Sequence, residues 1–206
     1  MTRRLVQLYA GLVLYGVSLA LMVRAELGLD PWDVFHQGLA DRLPLTFGQV
    51  VIVVGALVLL AWIPLRQRPG LGTISNVIVI GLAVDAALAV LSTPDALAWR
   101  IAFLVSGVVL NGVATAAYIG ARLGPGPRDG LMTALVARTG RSVRLIRTSI
   151  ELTVLATGWL LGGTIGVGTV LYAVSIGPLV HALLPPLTVP ERLELVTARP
   201  RRFDPR

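Results

Sequence analysis

The chain has 206 residues, 55% hydrophobic and only 14% charged, with a mean hydropathy of +0.78, whereas an average soluble domain carries about 25% charged residues. Too little polar surface is left to cover a water-soluble core, which excludes an ordinary cytosolic enzyme, a disordered chain and a free nucleic-acid binder. The absence of cysteine excludes disulfide scaffolds, thiol catalysis and Cys-based metal centres. The net charge of +7 comes from 18 arginines and no lysine, and in so apolar a chain their placement records membrane topology. His36 and His181 are too few for a histidine metal site, so no metal or cofactor is expected.

A bilayer-spanning helix needs about 20 apolar residues. The first such run, 5–23, follows Arg3 and Arg4 and superficially resembles a secretory signal; the repeat described below argues against its cleavage. Segment 30–43 comes next. Asp30 suits a helix N-cap, Pro31 the first helical position, and Asp33 the positive end of the dipole. Trp32, Phe35, Leu39 and Leu43 share one face, and Arg42 falls in the last turn. At 1.5 Å per residue the segment reaches about 21 Å, too short to span. Apolar runs follow at 46–65, 73–91 and 98–121. Segment 127–140 is a second short helix, with Asp129 near its start, Arg138 near its end and Gly140 as the residue beyond it. Two more runs, 143–161 and 167–184, complete six predicted spans. Gly70, Gly72 and Thr73, and again Gly166, Gly168 and Thr169, make a GxGT pattern. With no strand before it and no lysine after it, this reads as a tight helix-hairpin turn with the threonines as N-caps, not a phosphate loop. The arginine- and proline-rich tail 187–206 cannot bury a core and is expected to lie loose on the cytoplasmic face, drawn to anionic headgroups.

Shifted by 96 residues, the sequence aligns on itself without a gap. Leu27, Gly28, Pro31 and Asp33 fall on Leu123, Gly124, Pro127 and Asp129; the two GxGT patterns coincide; Gly11, Gly16 and Ala20 fall on Gly107, Gly112 and Ala116. The predicted fold is therefore all-α: a polytopic membrane protein of six transmembrane helices in a 3+3 inverted-topology repeat. Each half has a short interfacial or re-entrant helix after its first span. The halves are 1–96 and 97–186. An odd number of spans per half inverts the second half. With the N-terminus inside, fifteen arginines fall on the inner side and three (Arg24, Arg42 and Arg100) on the outer, which places both termini in the cytoplasm. Inverted repeats of this kind are common in transporters, with substrate sites near the midplane at the repeat interface.

The LGxxPWD segment (Leu27 to Asp33), the GxGT turn and the GPRDG segment (Gly126 to Gly130) resemble the YczE/YyaS/YitT family of bacterial membrane proteins over nearly the whole chain. The short YczE-like branch is the better match, since no soluble domain is appended. The resemblance implies a bacterial inner-membrane protein and supplies no catalytic residue, ligand or cofactor.

Ionisable residues in or beside spans are the candidate solute or ion contacts. Asp33 and Asp129 stand at the starts of the short helices, where complementing the helix dipole is the competing role. The short helices either lie flat on opposite membrane faces or dip inward and approach one another. Asp85 and His181 occupy equivalent positions in the two halves. Arg144, Arg147 and Glu151 share one helix face, with Arg147 and Glu151 spaced to pair. Their repeat mates are Gly48, Val51 and Gly55, so this cluster belongs to the second half alone; lipid-facing anchoring is its competing role. The function expected is that of a small transporter or permease moving a small solute through the repeat interface. Helix N-termini and Arg144/Arg147 favour an anion or zwitterion. The alternative is a membrane regulatory or scaffold protein that acts through a partner and moves nothing. Without HExxH, GxSxG or a paired aspartate inside a span, no enzyme is expected. The expected partners are the lipid bilayer and the solute, with no nucleic acid.

Overall fold

A computed structural model describes residues 1–190, and those residues form eight helices and no strand. They are α1 (Thr2–Ala25), α2 (Pro31–Ala40), α3 (Phe47–Trp62), α4 (Leu71–Val90), α5 (Leu97–Gly120), α6 (Pro127–Thr139), α7 (Val143–Leu160) and α8 (Val167–Leu187). α1, α4, α5 and α8 are long and apolar enough to cross a membrane. α3 is apolar but has only 16 residues, and α7 carries Arg144, Arg147 and Glu151. α8 runs through Pro185 and Pro186, and Val189 donates to the Gly120 carbonyl at 2.9 Å. The rest of the tail, with its five arginines, lies outside the described residues.

Local chemistry sets the helix ends. Asp30 caps α2 by accepting from the backbone N–H groups of Trp32 and Asp33, with Pro31 in the first turn. Thr46 and Gln49 close a capping box on α3, and Ser142 caps α7. Gly140 ends α6 in the left-handed conformation. The threonines of the GxGT patterns do not cap α4 and α8 as expected. Gly70 and Gly166 hold the cap position, and Thr73 and Thr169 sit three residues in, their hydroxyls accepting from the glycine N–H at 3.2 Å.

α1 and α5 form the centre. Small residues bring them together: a side chain at Gly11 would strike the Tyr118 backbone, and one at Gly107 would strike Met22. α4 lies against α1, and α8 against α5. The short helices cross over. α2 packs on α7, and α6 packs on α3, so each is seated largely on the other half of the chain. The leucine-glycine loop before each short helix is held the same way. Gly168 N–H donates to Leu27 O at 2.7 Å, and Gly72 N–H to Leu123 O at 2.8 Å, contacts that recur at the 96-residue offset. Gly28 and Gly124 both have positive φ, 105° and 128°. Only glycine fits there, because the GxGT backbone or threonine hydroxyl of the other half lies where a Cβ would be.

Candidate functional site

The N-terminal ends of α2 and α6 meet inside the bundle. Asp30, Asp33 and His36 on the α2 side are buried. Arg128, in the first turn of α6, reaches across to them. Its Nη2 lies 3.8 Å from Asp33 Oδ1 and its Nη1 4.0 Å from Asp30 Oδ1. Its guanidinium carbon stands 4.7 Å from the centroid of the Trp32 ring, a cation–π geometry. Trp32 and Arg128 are repeat mates, 96 residues apart, so equivalent positions of the two halves stack on one another. The starts of the two short helices therefore touch.

Each is pinned from behind. Trp62 of α3 donates its indole N–H to Pro127 O at 3.1 Å, and its ring fills the space beside Gly130. Gln37 of α2 accepts from the Thr164 N–H at 2.7 Å, and Gly158 of α7 is pressed against the Val34–Phe35 backbone. Arg42 donates to Leu161 O at 2.8 Å and its repeat mate Arg138 to Pro64 O at 3.1 Å, so the end of each short helix is tied to a neighbouring chain reversal. Arg24 and Arg100 likewise serve helix ends, donating to Leu88 O at 2.6 Å and Ala25 O at 2.8 Å. The three arginines assigned to the outer side therefore all have structural work.

A cavity of about 420 Å³ opens beside this junction. Its walls come from the C-terminal half of α5, α8 from Tyr172 to Leu184, the N-terminal halves of α4 and α7, α3 from Val51 to Val58, and Tyr15 of α1. From its wall a polar chain leads into the α1–α5 core: Tyr172 donates to Asn111 Oδ1 at 3.0 Å, and the buried Asn111 donates to the buried Ser18 Oγ at 2.9 Å. Tyr118 donates to Asp129 Oδ2 at 3.2 Å.

The sequence candidates separate on this geometry. Asp129, Arg147, Glu151 and His181 line the cavity. Asp33 lies directly behind it, its Oδ1 2.9 Å from His36 Nδ1. Arg147 Nε pairs with Glu151 Oε1 at 2.8 Å. Arg144 is exposed and outside the cavity wall. Asp85 faces the start of α3, accepting from the Thr46 hydroxyl and, at 2.7 Å, from the Gly48 N–H; it supports a helix end and does not line the cavity. Sequence reasoning read Asp30 as a helix cap, Trp32 as part of an apolar face and Tyr15 as an interhelical hydrogen-bonding residue, and gave no solute-contact role to them or to Arg128, His36, Tyr118 and Tyr172. For Arg128 a signal existed. It replaces Trp32 at the repeat position, and residues at matching positions near a pseudo-two-fold axis are the ones that meet. Among the described residues, no group of three or more acidic or histidine side chains could hold a metal.

The two halves differ in how tightly they close. α3 lies on α4 through Gly48, Gly55 and Gly81; a Cβ at Gly81 would lie 2.5 Å from Ile52 and 2.6 Å from Gly48 O. In the second half, Arg144 and Glu151 replace Gly48 and Gly55. α7 does not pack along α8, and nothing lies within 4 Å of a Cβ at Gly177, the mate of Gly81. Bulky charged residues in place of glycine keep that seam apart, and the cavity occupies the gap.

Residues 2–185 match the Family of unknown function (DUF6198). The chain belongs to this family. It is 41% identical over 173 residues to an uncharacterized protein of Haemophilus influenzae, covering 84% of this chain and 79% of that one. It is 38% identical over 180 residues to the uncharacterized membrane protein YczE of Bacillus subtilis, covering 86% and 83%. It is also 26% identical over 179 residues to YyaS of the same organism, covering 85% and 89%. No solved structure matches. The YczE-like resemblance read from the sequence holds, and with the apolar helices it makes this a membrane protein.

Proposed function

We propose that this DUF6198 member is a small transporter of the bacterial inner membrane, with both termini cytoplasmic. In this reading α1, α3, α4, α5, α7 and α8 cross the bilayer as two inverted three-helix halves, and α2 and α6 are re-entrant. The observation that carries it is the cavity at the point where the starts of α2 and α6 meet, an apolar-walled space into which Asp129, Arg147, Glu151 and the tyrosines face. Cavities of about 300–1,000 Å³ suit small-molecule ligands. Charged groups at such depth are costly unless paired or facing a wet space. A protein that only scaffolded a partner would have no use for one. The cavity wall is drawn from helix halves that adjoin the arginine-rich side, including the stretches before Arg66 and Arg122 and after Arg144. The site is therefore open toward the cytoplasm, with the tightly packed Gly48–Gly81 seam in the first half as its closed counterpart. Alternating access would exchange the two seams. No enzymatic step is assigned.

Reconstitution tests the proposal. Proteoliposomes on a solid-supported membrane receive concentration jumps of small charged solutes. A current absent from empty liposomes and lost in Asp129→Asn supports transport. Folded, reconstituted protein that passes no current and shows no counterflow with any of them refutes it.

A further inference from the structure

The junction of α2 and α6 is occupied by a positive group, the protein's own Arg128. Its guanidinium is held by the Asp30 and Asp33 carboxylates and the face of Trp32. The hold is incomplete. At 3.8 and 4.0 Å the contacts are in ion-pair range and too long for hydrogen bonds. Asp30 Oδ2 and Asp33 Oδ2 are buried with no hydrogen-bond partner, although buried carboxylate oxygens ordinarily have one. Charge points the same way. Asp30, Asp33, Asp129 and Glu151 outnumber Arg128 and Arg147 around the junction even with His36 set against Asp33, and Arg147 is already matched by Glu151. The start of α2, which would otherwise attract an anion, is taken by the protein's own carboxylate: Asp30 accepts from its first-turn N–H groups. At the start of α6 the Asp129 carboxylate stands in the first turn, where its charge opposes a second anion.

We infer that the cavity admits a small organic monocation with a guanidinium or ammonium head, which takes the Arg128 position between Asp30, Asp33 and the Trp32 ring. Tyr15 and Tyr172 line the same space and offer further aromatic and hydroxyl contacts. The cation competes with Arg128, whose pairing with Asp30 and Asp33 ties α2 of the first half to α6 of the second. Occupancy loosens that tie and lets the halves move, a consequence that rests on the transporter reading.

Radiolabelled guanidine is the probe, with the full chain in lipid nanodiscs at constant ionic strength. Binding is expected to be saturable. Asp33→Asn weakens it about ten-fold or more, Trp32→Phe about three-fold, and Arg128→Gln strengthens it by removing the competitor. Should Asp33→Asn fail to yield folded protein, Trp32→Phe, which keeps the charges, decides. Absence of saturable binding, equal affinity in wild type and the carboxylate or tryptophan variants, or weaker guanidine binding in Arg128→Gln overturns the inference. Saturable binding of radiolabelled phosphate that Arg128→Gln abolishes also overturns it, because the site would then serve an anion. Guanidine binding without uptake into proteoliposomes leaves the cation site standing and removes the transporter reading. Uptake of another solute without guanidine binding does the reverse.

Discussion

Gly28 and Gly124 set the entry of the two short helices, and their replacement by alanine separates two costs. At Gly140, φ is +66° and nothing lies within 4 Å of a new Cβ. Gly140→Ala therefore meets only the left-handed backbone penalty, about 1–2 kcal/mol. At Gly124 the same penalty applies. In addition the methyl lies 2.7 Å from the Thr73 hydroxyl, with backbone no nearer than 3.2 Å. That hydroxyl donates to Pro125 O at 2.8 Å and accepts from the Gly70 N–H at 3.2 Å, so moving it weakens two hydrogen bonds, about 1–2 kcal/mol, less where the side chain shifts without breaking both. At Gly28 the methyl meets the Gly166 backbone, N at 2.5 Å and Cα at 2.8 Å. Backbone cannot rotate away, and overpacking adds about 1–3 kcal/mol. The expected order of destabilisation is Gly140→Ala, then Gly124→Ala, then Gly28→Ala, spanning about 1 to 5 kcal/mol. Thermal unfolding of the purified variants in one detergent, followed by size exclusion, reads this order. Gly28→Ala as stable as Gly140→Ala would falsify the claim that the GxGT backbone of one half cradles the loop of the other.

The repeat mates Gly81 and Gly177 should respond oppositely to leucine: Gly81→Leu collides with Ile52 and Gly48 and should lose folded yield, while Gly177→Leu enters open space, folds, and loses solute uptake. Retained uptake in folded Gly177→Leu would remove the α7–α8 gap from the pathway. In the cysteine-free chain, a single cysteine replacing Asp95 should react with an impermeant thiol reagent from outside intact cells and one replacing Gln67 should not; labelling at 67 would invert or break the proposed topology. Asp85→Asn weakens support of the α3 start, costing about 0.5–1 kcal/mol, and should leave guanidine affinity unchanged, whereas a changed affinity would place Asp85 in the site.

The helices and short segments were legible because each rests on local chemistry: apolar runs of membrane length, Asp30 with Pro31, and Gly140 at a helix end. The pairing of segments was legible because duplication leaves matched glycines, prolines and aspartates 96 residues apart. What those signals do not encode is which surfaces of the two halves meet. The rule that places arginines inside treats each one as a loop charge. Arg128 lies next to a glycine- and proline-rich loop and satisfies that rule by position, yet the structure carries it onto Trp32 and the buried aspartates. Asp85 failed in the opposite sense. Hydropathy placed it inside a span, where a charge suggests function, but the close approach of α3 through Gly48 provides a backbone N–H for it to accept. In both cases the deciding partner lies in another helix. The asymmetric positions carry what the symmetric ones cannot. Where the repeat keeps Gly28 and Gly124, it preserves a shared backbone conformation. Where it exchanges Trp32 for Arg128, and Gly48 and Gly55 for Arg144 and Glu151, it makes the two halves chemically unequal at their junction and at one seam. A symmetric pair of glycine-packed seams would favour two equally closed sides. The unequal seams leave α3 packed on α4 and a gap between α7 and α8, with the mixed Trp–Arg–Asp junction beside the cavity that fills it.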